Sequence, residues 1–111
     1  MKSALLINYE YCTGCHSCEI ACRNELGLGL GTWGIKMLEV EPFQIDEDNW
    51  NWDYAPILTS LCDMCAKRVA EGKDPACAHH CLANCIEYGS FEELAKKADT
   101  MFGKVYVISN Q

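Results

Sequence analysis

Nine cysteines among 111 residues are the feature of this sequence with the clearest chemistry. Most of them form two groups with regular spacing. The first group is Cys12, Cys15, Cys18 and Cys22, which reads C-x2-C-x2-C-x3-C. The second group is Cys62, Cys65, Cys77 and Cys81, which reads C-x2-C-x11-C-x3-C, and Cys85 follows four residues later. Cysteine thiols either pair as disulfides or bind metal as thiolates, so these spacings raise both possibilities.

Disulfide bonding is the less favoured of the two, because an odd number of cysteines leaves one without a partner. The longest apolar run, Ala4–Ile7, is far shorter than the roughly 20 residues of a membrane-spanning helix. Polar Asn8 and Glu10 follow too soon for the apolar part of a secretion signal. We therefore expect a cytoplasmic protein without membrane insertion, in which thiols stay reduced or bind metal.

The first cysteine group favours an iron–sulfur cluster over a zinc ion. Three cysteines at steps of three residues wrap the chain around one inorganic centre and bring three thiolates to three corners of an iron–sulfur cube. Zinc also accepts four cysteines, but its sites usually combine two separated C-x2-C pairs. The second group is a weaker signal alone, and its presence beside the first group strengthens it. A structural zinc module remains the alternative.

Charge and composition exclude several other classes of function. The chain has 16 acidic and 9 basic residues, a net charge of -7, whereas binding to nucleic acid or to an anionic membrane needs clustered basic residues. An acidic surface instead favours docking onto a protein with a basic patch. The cysteines are not accompanied by a nucleophile–base pair or a phosphate-binding glycine loop, so we expect this chain to have no catalytic site.

The elements that must position the cysteines flank each group. We predict a strand over 3–8, a helix over 18–25, an edge strand over 35–43, a surface loop over 46–54 and a short helix over 64–70. Ser90-Phe91-Glu92-Glu93 is a capping box, which predicts a helix containing Leu94, Ala95 and Ala98 and ending at Gly103. The β-branched segment 104–108 predicts a last strand that pairs with the first.

The segment from Cys12 to Glu25 resembles the opening of the iron–sulfur electron-transfer subunits that accompany dimethyl sulfoxide reductase-type molybdenum or tungsten enzymes. That family's second motif is similar to Cys62-Asp63-Met64-Cys65, then Arg68, Gly72, Pro75-Ala76-Cys77 and Cys81. The resemblance covers roughly residues 3 to 25 and 57 to 90. This sequence departs from the family in two respects. The larger members have four cluster motifs where this chain has cysteines for two, and Leu82 replaces the usual proline after the last cysteine.

The resemblance implies an α+β, ferredoxin-like fold in one domain, residues 1–111, with a duplicated cluster-binding unit and an insertion at about 30–60. It also implies two [4Fe-4S] clusters. By the pattern of two-cluster ferredoxins, Cys12, Cys15, Cys18 and Cys81 bind the first cluster, and Cys62, Cys65, Cys77 and Cys22 bind the second. The implied function is electron transfer as the small subunit of an anaerobic oxidoreductase, whose larger catalytic subunit holds molybdopterin, tungstopterin or flavin. A free-standing ferredoxin is the alternative within this class.

Some residues near the cysteine groups are candidates for secondary roles. We expect Cys85 to be a packed thiol, although it could replace Cys81 as a ligand. His79 and His80 are candidate hydrogen-bond donors to cluster sulfur, with solvent exposure as the alternative. His16 and Met64 are weaker candidates for the same role.

Aromatic residues in the predicted middle loop form a candidate docking surface. Trp50, Trp52 and Tyr54 alternate along the chain, so an extended backbone would place all three on one face. Aromatic side chains are enriched at protein interfaces, and the alternative is a loop folded over its own core.

Overall fold

The computed structural model describes residues 3–29 and 31–110. In these residues helices and strands are mixed along the chain, as the α+β prediction requires. The strands are β1 (Ser3–Asn8), β2 (Ile35–Gln44), β3 (Trp50–Leu58), β4 (Ile86–Ser90) and β5 (Val105–Ile108). The helices are α1 (Ser17–Leu26), α2 (Ala66–Ala70), α3 (Ala76–His79) and α4 (Phe91–Asp99).

A three-stranded antiparallel sheet with the order β4-β1-β5 joins the two ends of the described chain. The predicted pairing of the first and last strands is confirmed, with Leu5 opposite Ile108. β1 is central and its side chains alternate between two cores, because neighbouring strand residues point to opposite faces. Ala4 and Leu6 pack with Leu94 of α4. Leu5 and Ile7 pack on the other face, which is the face that carries the cysteines.

β2 and β3 form a separate antiparallel hairpin, with Ile35 opposite Leu58 and Gln44 opposite Trp50. The prediction of a surface loop over 46–54 is therefore wrong from Trp50 onward. The connection is shorter, and the Asp46 carboxylate accepts hydrogen bonds from the backbone N–H groups of Asp48 and Asn49 (both 3.0 Å). The acidic residues of this segment favoured a loop. The alternation of aromatic and polar residues from Trp50 onward is instead typical of a strand.

The predicted helices are confirmed with changes at their ends. α1 ends at Gly27, which adopts φ 66°, a left-handed conformation that glycine allows without a side-chain clash. The Ser90 hydroxyl accepts a hydrogen bond from the backbone N–H of Glu93 (3.3 Å), as the capping box predicts. α4 ends at Asp99, before the predicted Gly103. α2 begins two residues later than predicted, because Cys65 has φ 55° and cannot be part of a right-handed helix.

Candidate metal centres

The first candidate centre is a cavity beside the loop that connects β1 to α1. Its lining includes four of the sequence-predicted ligands, from two distant parts of the chain: Cys12, Cys15, Cys18 and Cys81. Cys85 lines the same cavity, so five thiols converge there. Met37 and Pro56 of the hairpin also contribute to the lining.

The second candidate centre is a cavity that also takes part of its lining from α1. It is lined by the other four predicted ligands, namely Cys22, Cys62, Cys65 and Cys77. Apolar side chains surround them, among them Leu5 of β1, Ile35 of β2 and Leu58 of β3. The eight predicted ligands therefore line two cavities, four at each, and Cys85 is an additional cysteine at the first.

Helix α1 contributes one thiol to each set. Cys18 and Cys22 lie one helical turn apart on α1, and Cys18 lines the first cavity whereas Cys22 lines the second. One thiol of each cavity, Cys18 and Cys77, belongs to the same core cluster, so the two cavities are close to each other. Burial raises the pKa of Cys77 in the second cavity, and the Cys18 thiolate of the first cavity is near enough to add to that effect. Two redox centres held here would be close neighbours, which electron transfer between them requires.

The loops that carry the cysteines depart from ordinary backbone conformations. Within residues 3–29 and 31–110, the non-glycine residues with positive φ are His16, Met64, Cys65 and Asn84. Each is either one of the cysteines or lies within three residues of one. Such conformations cost free energy and persist where the surrounding structure holds them, which is typical of functional loops.

Gly14 shows why the first loop needs a residue without a side chain. It has φ 73°, and a Cβ atom there would lie 2.9 Å from the ring of Tyr54. The Tyr54 ring therefore packs directly on the backbone between Cys12 and Cys15. Through this contact the hairpin covers the first cysteine loop.

Backbone N–H groups point at several of the sulfur atoms. Met64 N–H donates to Cys62 Sγ (3.4 Å), Ala76 N–H to Cys65 Sγ (3.4 Å) and Cys85 N–H to Cys81 Sγ (3.5 Å). Hydrogen bonds of this kind stabilise thiolate charge and help to set the potentials of iron–sulfur centres.

The protonation behaviour of the buried thiols fits a metal centre. Burial raises the pKa of Cys18 to about 12 and that of Cys22 to about 11, because an uncompensated thiolate is poorly solvated there. Iron bound there would supply the missing positive charge and displace the protons. The pKa of Cys12 is instead lowered to about 6, mainly by its hydrogen bond with Cys85.

In the described part of the chain, no three His, Cys, Asp or Glu side chains lie close enough together to hold a single metal ion. Thiolates that bind the four iron corners of a cubane cluster lie farther apart than the ligands of one ion.

The predicted secondary residues differ in their outcome. His79 and His80 are both exposed and pack edge-to-face on each other (4.8 Å between ring centroids), so the solvent-exposed alternative holds for both. His16 is exposed and its ring pairs with the carboxylate of Glu19. Met64 is buried, with its Sδ 4.0 Å from Cys62 Sγ.

The sequence did not identify the residues that form the cavity walls. Ile35 and Met37 lie two residues apart on β2, where Ile35 lines the second cavity and Met37 lines the first. Their alternating spacing in the sequence is the signal that could have identified them. Pro56 and Leu58 lie on β3, beyond the segment 46–54 that was predicted as a loop. Buried Glu19 was also missed, and Lys36 forms an ion pair with its carboxylate at 2.9 Å.

The alternating aromatic residues lie on one face of β3, as predicted for an extended backbone. Trp50 is 63% exposed and Trp52 is 58% exposed. The rings of Trp52 and Tyr54 are 6.1 Å apart, and Trp52 Nε1 donates to the Glu39 carboxylate (3.0 Å). This face, which we call the tryptophan face (Trp50, Trp52 and Tyr54), extends from the tip of the hairpin to the first cavity.

No helix in residues 3–29 or 31–110 combines the length and the apolar character that a membrane crossing demands.

Comparison with protein families matches residues 32–91 to the 4Fe-4S dicluster domain. This region includes the hairpin and the whole second cysteine group. The chain is 28% identical over 97 residues, 87% of its length, to the probable anaerobic dimethyl sulfoxide reductase chain YnfG of Escherichia coli K12, covering 36% of that protein. It is 27% identical over 93 residues, 84% of its length, to the B subunit of anaerobic dimethyl sulfoxide reductase from the same strain, covering 34% of it. The chain thus spans about a third of these relatives.

Proposed function

Because the chain belongs to the 4Fe-4S dicluster domain family, we propose that it binds two [4Fe-4S] clusters and transfers electrons as the iron–sulfur subunit of an anaerobic oxidoreductase. The observation that carries the proposal is the convergence of four predicted ligands at each of two neighbouring cavities. The first cluster takes Cys12, Cys15, Cys18 and Cys81, and the second takes Cys62, Cys65, Cys77 and Cys22. The chain has no substrate chemistry of its own in this proposal, and it works in the cytoplasm.

The fold proposed with this function is ferredoxin-like, one domain over residues 1–111. Each cysteine group is one copy of a duplicated cluster-binding unit, and residues of about 30–60 are inserted between the copies. The hairpin of β2 and β3 falls within that range, which supports an insertion as its origin. Its contribution to both cavity walls gives the inserted segment a role at the clusters.

The clusters, when bound, supply one-electron transfer, and the chain's own residues determine where and how that occurs. The cysteine thiolates that line each cavity would hold the iron of one centre there. Leu5, Ile35 and Leu58 exclude water from the second centre, and a drier environment favours the less charged oxidation state. The backbone N–H donors to Cys62, Cys65 and Cys81 act in the opposite direction by stabilising added negative charge.

Metal content is the direct test of this function. Anaerobically purified protein is expected to contain about eight iron and about eight acid-labile sulfide per chain, since two cubane clusters need that number. Iron and sulfide assays measure it, together with a broad brown absorbance that bleaches on reduction. Colourless protein with two zinc ions and no labile sulfide would instead establish the zinc module.

The partner in this proposal is a larger catalytic subunit that holds molybdopterin, tungstopterin or flavin. Two observations support it. The relatives in Escherichia coli are themselves chains of an anaerobic dimethyl sulfoxide reductase. The tryptophan face also exposes large apolar side chains on an acidic protein, a combination that suits a stable contact with a partner that has a basic rim.

Replacing Trp50 and Trp52 together with serine is expected to release the partner while leaving both clusters in place. Buried aromatic anchors contribute about 2 kcal/mol each, so the double variant would bind roughly a thousandfold more weakly. Native mass spectrometry of the complex purified from its own cells measures the loss.

Phe102→Ser is the matched control, because Phe102 is an aromatic residue outside the hairpin and is 96% exposed. This variant should keep the partner. A wild-type protein that is isolated only as a 12.4 kDa holo-monomer would favour the free-standing ferredoxin.

A further inference from the structure

The first cavity contains one thiol more than a cubane cluster needs. Cys85 is 5% exposed, lines the cavity together with the four predicted ligands, and places its Sγ 3.6 Å from Cys81 Sγ. Cys12 lines the same cavity. Cys85 therefore shares the cavity with ligands that come from the two different cysteine groups.

The backbone fixes Cys85 in this position. Its N–H donates to Cys81 Sγ at 3.5 Å, so the peptide and the side chain of Cys85 approach the same sulfur atom. β4 begins at the next residue, and Cys85 C=O accepts a hydrogen bond from Asn8 N–H (2.9 Å) at the end of β1. The sheet therefore holds the thiol beside the cluster ligands.

Only one direction of hydrogen bonding is open when the cluster is bound. Cysteines bind iron as thiolates, so Cys12 and Cys81 then have no proton to donate. Cys85 keeps its proton if it is not a ligand, and its neighbours in the cavity are negatively charged sulfur atoms. An S–H group in this position acts as a donor to the ligand sulfur.

We propose that Cys85 is a positioning residue that donates an S–H hydrogen bond to the Cys81 sulfur atom and thereby raises the reduction potential of the first cluster. The proposal rests on the proposed function. Reduction adds negative charge that spreads onto the ligand sulfurs, and a donor stabilises this charge more in the reduced state than in the oxidised state.

The second cavity provides the contrast. There the buried sulfur beside a ligand is Met64 Sδ, 4.0 Å from Cys62 Sγ, and a thioether has no proton to donate. The two centres thus share backbone N–H donors but differ in side-chain donation. Removing Cys85 should shift one of the two redox couples and leave the other in place.

The experiment compares Cys85→Ala with Cys85→Ser in anaerobically purified holoprotein, by redox titration followed by electron paramagnetic resonance. Cys85→Ala is expected to lower the ratio of reduced to oxidised cluster for one couple about three- to tenfold at a given potential, where tenfold corresponds to about 59 mV for one electron. Cys85→Ser keeps a donor and should restore most of the shift. Met64→Leu is the matched control, because it replaces a buried sulfur side chain beside the second centre. It should leave unchanged the couple that Cys85→Ala shifts.

Unchanged couples in Cys85→Ala would overturn the proposal, and an equal shift in the serine variant would assign the effect to packing and overturn it too. Loss of iron from Cys85→Ala would show that Cys85 is a ligand, and this result would also overturn the proposal. Cys85→Val serves as the non-donor variant if the alanine protein does not accumulate. All these outcomes leave two clusters in the wild type, whereas wild-type protein without iron would contradict the proposed function itself.

Discussion

Replacing Cys22 with serine is expected to destroy the cluster held by the second cysteine group and to spare the cluster held by its own group. Cys22 lines the cavity that contains Cys62, Cys65 and Cys77, and lies one turn of α1 away from Cys18, which faces the other cavity. A serine oxygen is a harder and poorer ligand for iron–sulfur centres than a thiolate. The variant should therefore retain about four of about eight iron atoms.

Cys18→Ser is the matched control, with the same substitution on the same helix. It should remove the other cluster, so the two variants would retain different electron paramagnetic resonance signals with similar iron contents. If both variants lost the same signal, Cys18 and Cys22 would bind one cluster, and the ferredoxin-like fold would be wrong as well.

Removal of iron by a chelator under oxidising conditions is expected to abolish the cooperative thermal transition. The core on the cysteine face of β1 is built around the two cavities, and Cys18, Cys77 and Cys85 are among its buried members. A domain of 111 residues buries too little apolar surface to compensate for the loss of centres that join positions 12 and 81. Ligands that bind only the folded state stabilise it, so their loss shifts the equilibrium towards unfolding.

Calorimetry and near-ultraviolet circular dichroism of the apoprotein measure this effect. Reconstitution with iron and sulfide under reducing, anaerobic conditions is the control, and should restore both the transition and the aromatic signal. An apoprotein with a native-like aromatic spectrum and a sharp transition would contradict the expectation and assign stability to the protein core alone.

Local sequence signals predicted those parts of the fold that depend on local structure. The apolar run of β1, the glycine that ends α1 and the capping serine of α4 each determine their element within a few residues. β4 was missed because Ile86–Ser90 contains a glycine and a charged residue and becomes a strand by pairing with β1, which is about 80 residues away in sequence. β3 was missed as a strand for a related reason, since its pairing with β2 outweighs the loop character of Asp53 and of the acidic residues just before the strand.

In the candidate centres, too, some features follow from local sequence and others depend on how distant segments pack together. Spacing alone pointed to the eight candidate cysteines, because three of the four candidate ligands at each cavity come from one cysteine group. The walls of the cavities depend on where the hairpin packs, and no short-range pattern determines that position. The contact between Tyr54 and Gly14 is an example, because it joins residues that are 40 positions apart in the sequence.

The proposed exchange of one ligand between the two cysteine groups has a consequence for biosynthesis. On the proposed ligation, neither cluster has its complete ligand set until the second cysteine group has been translated. Cys81 completes the first centre and Cys77 the second. Most of the chain must therefore leave the ribosome before iron–sulfur carriers can deliver either cluster. Cluster insertion then follows translation of the second group, and a nascent chain that stalls between the two groups would present thiols that hold no finished centre.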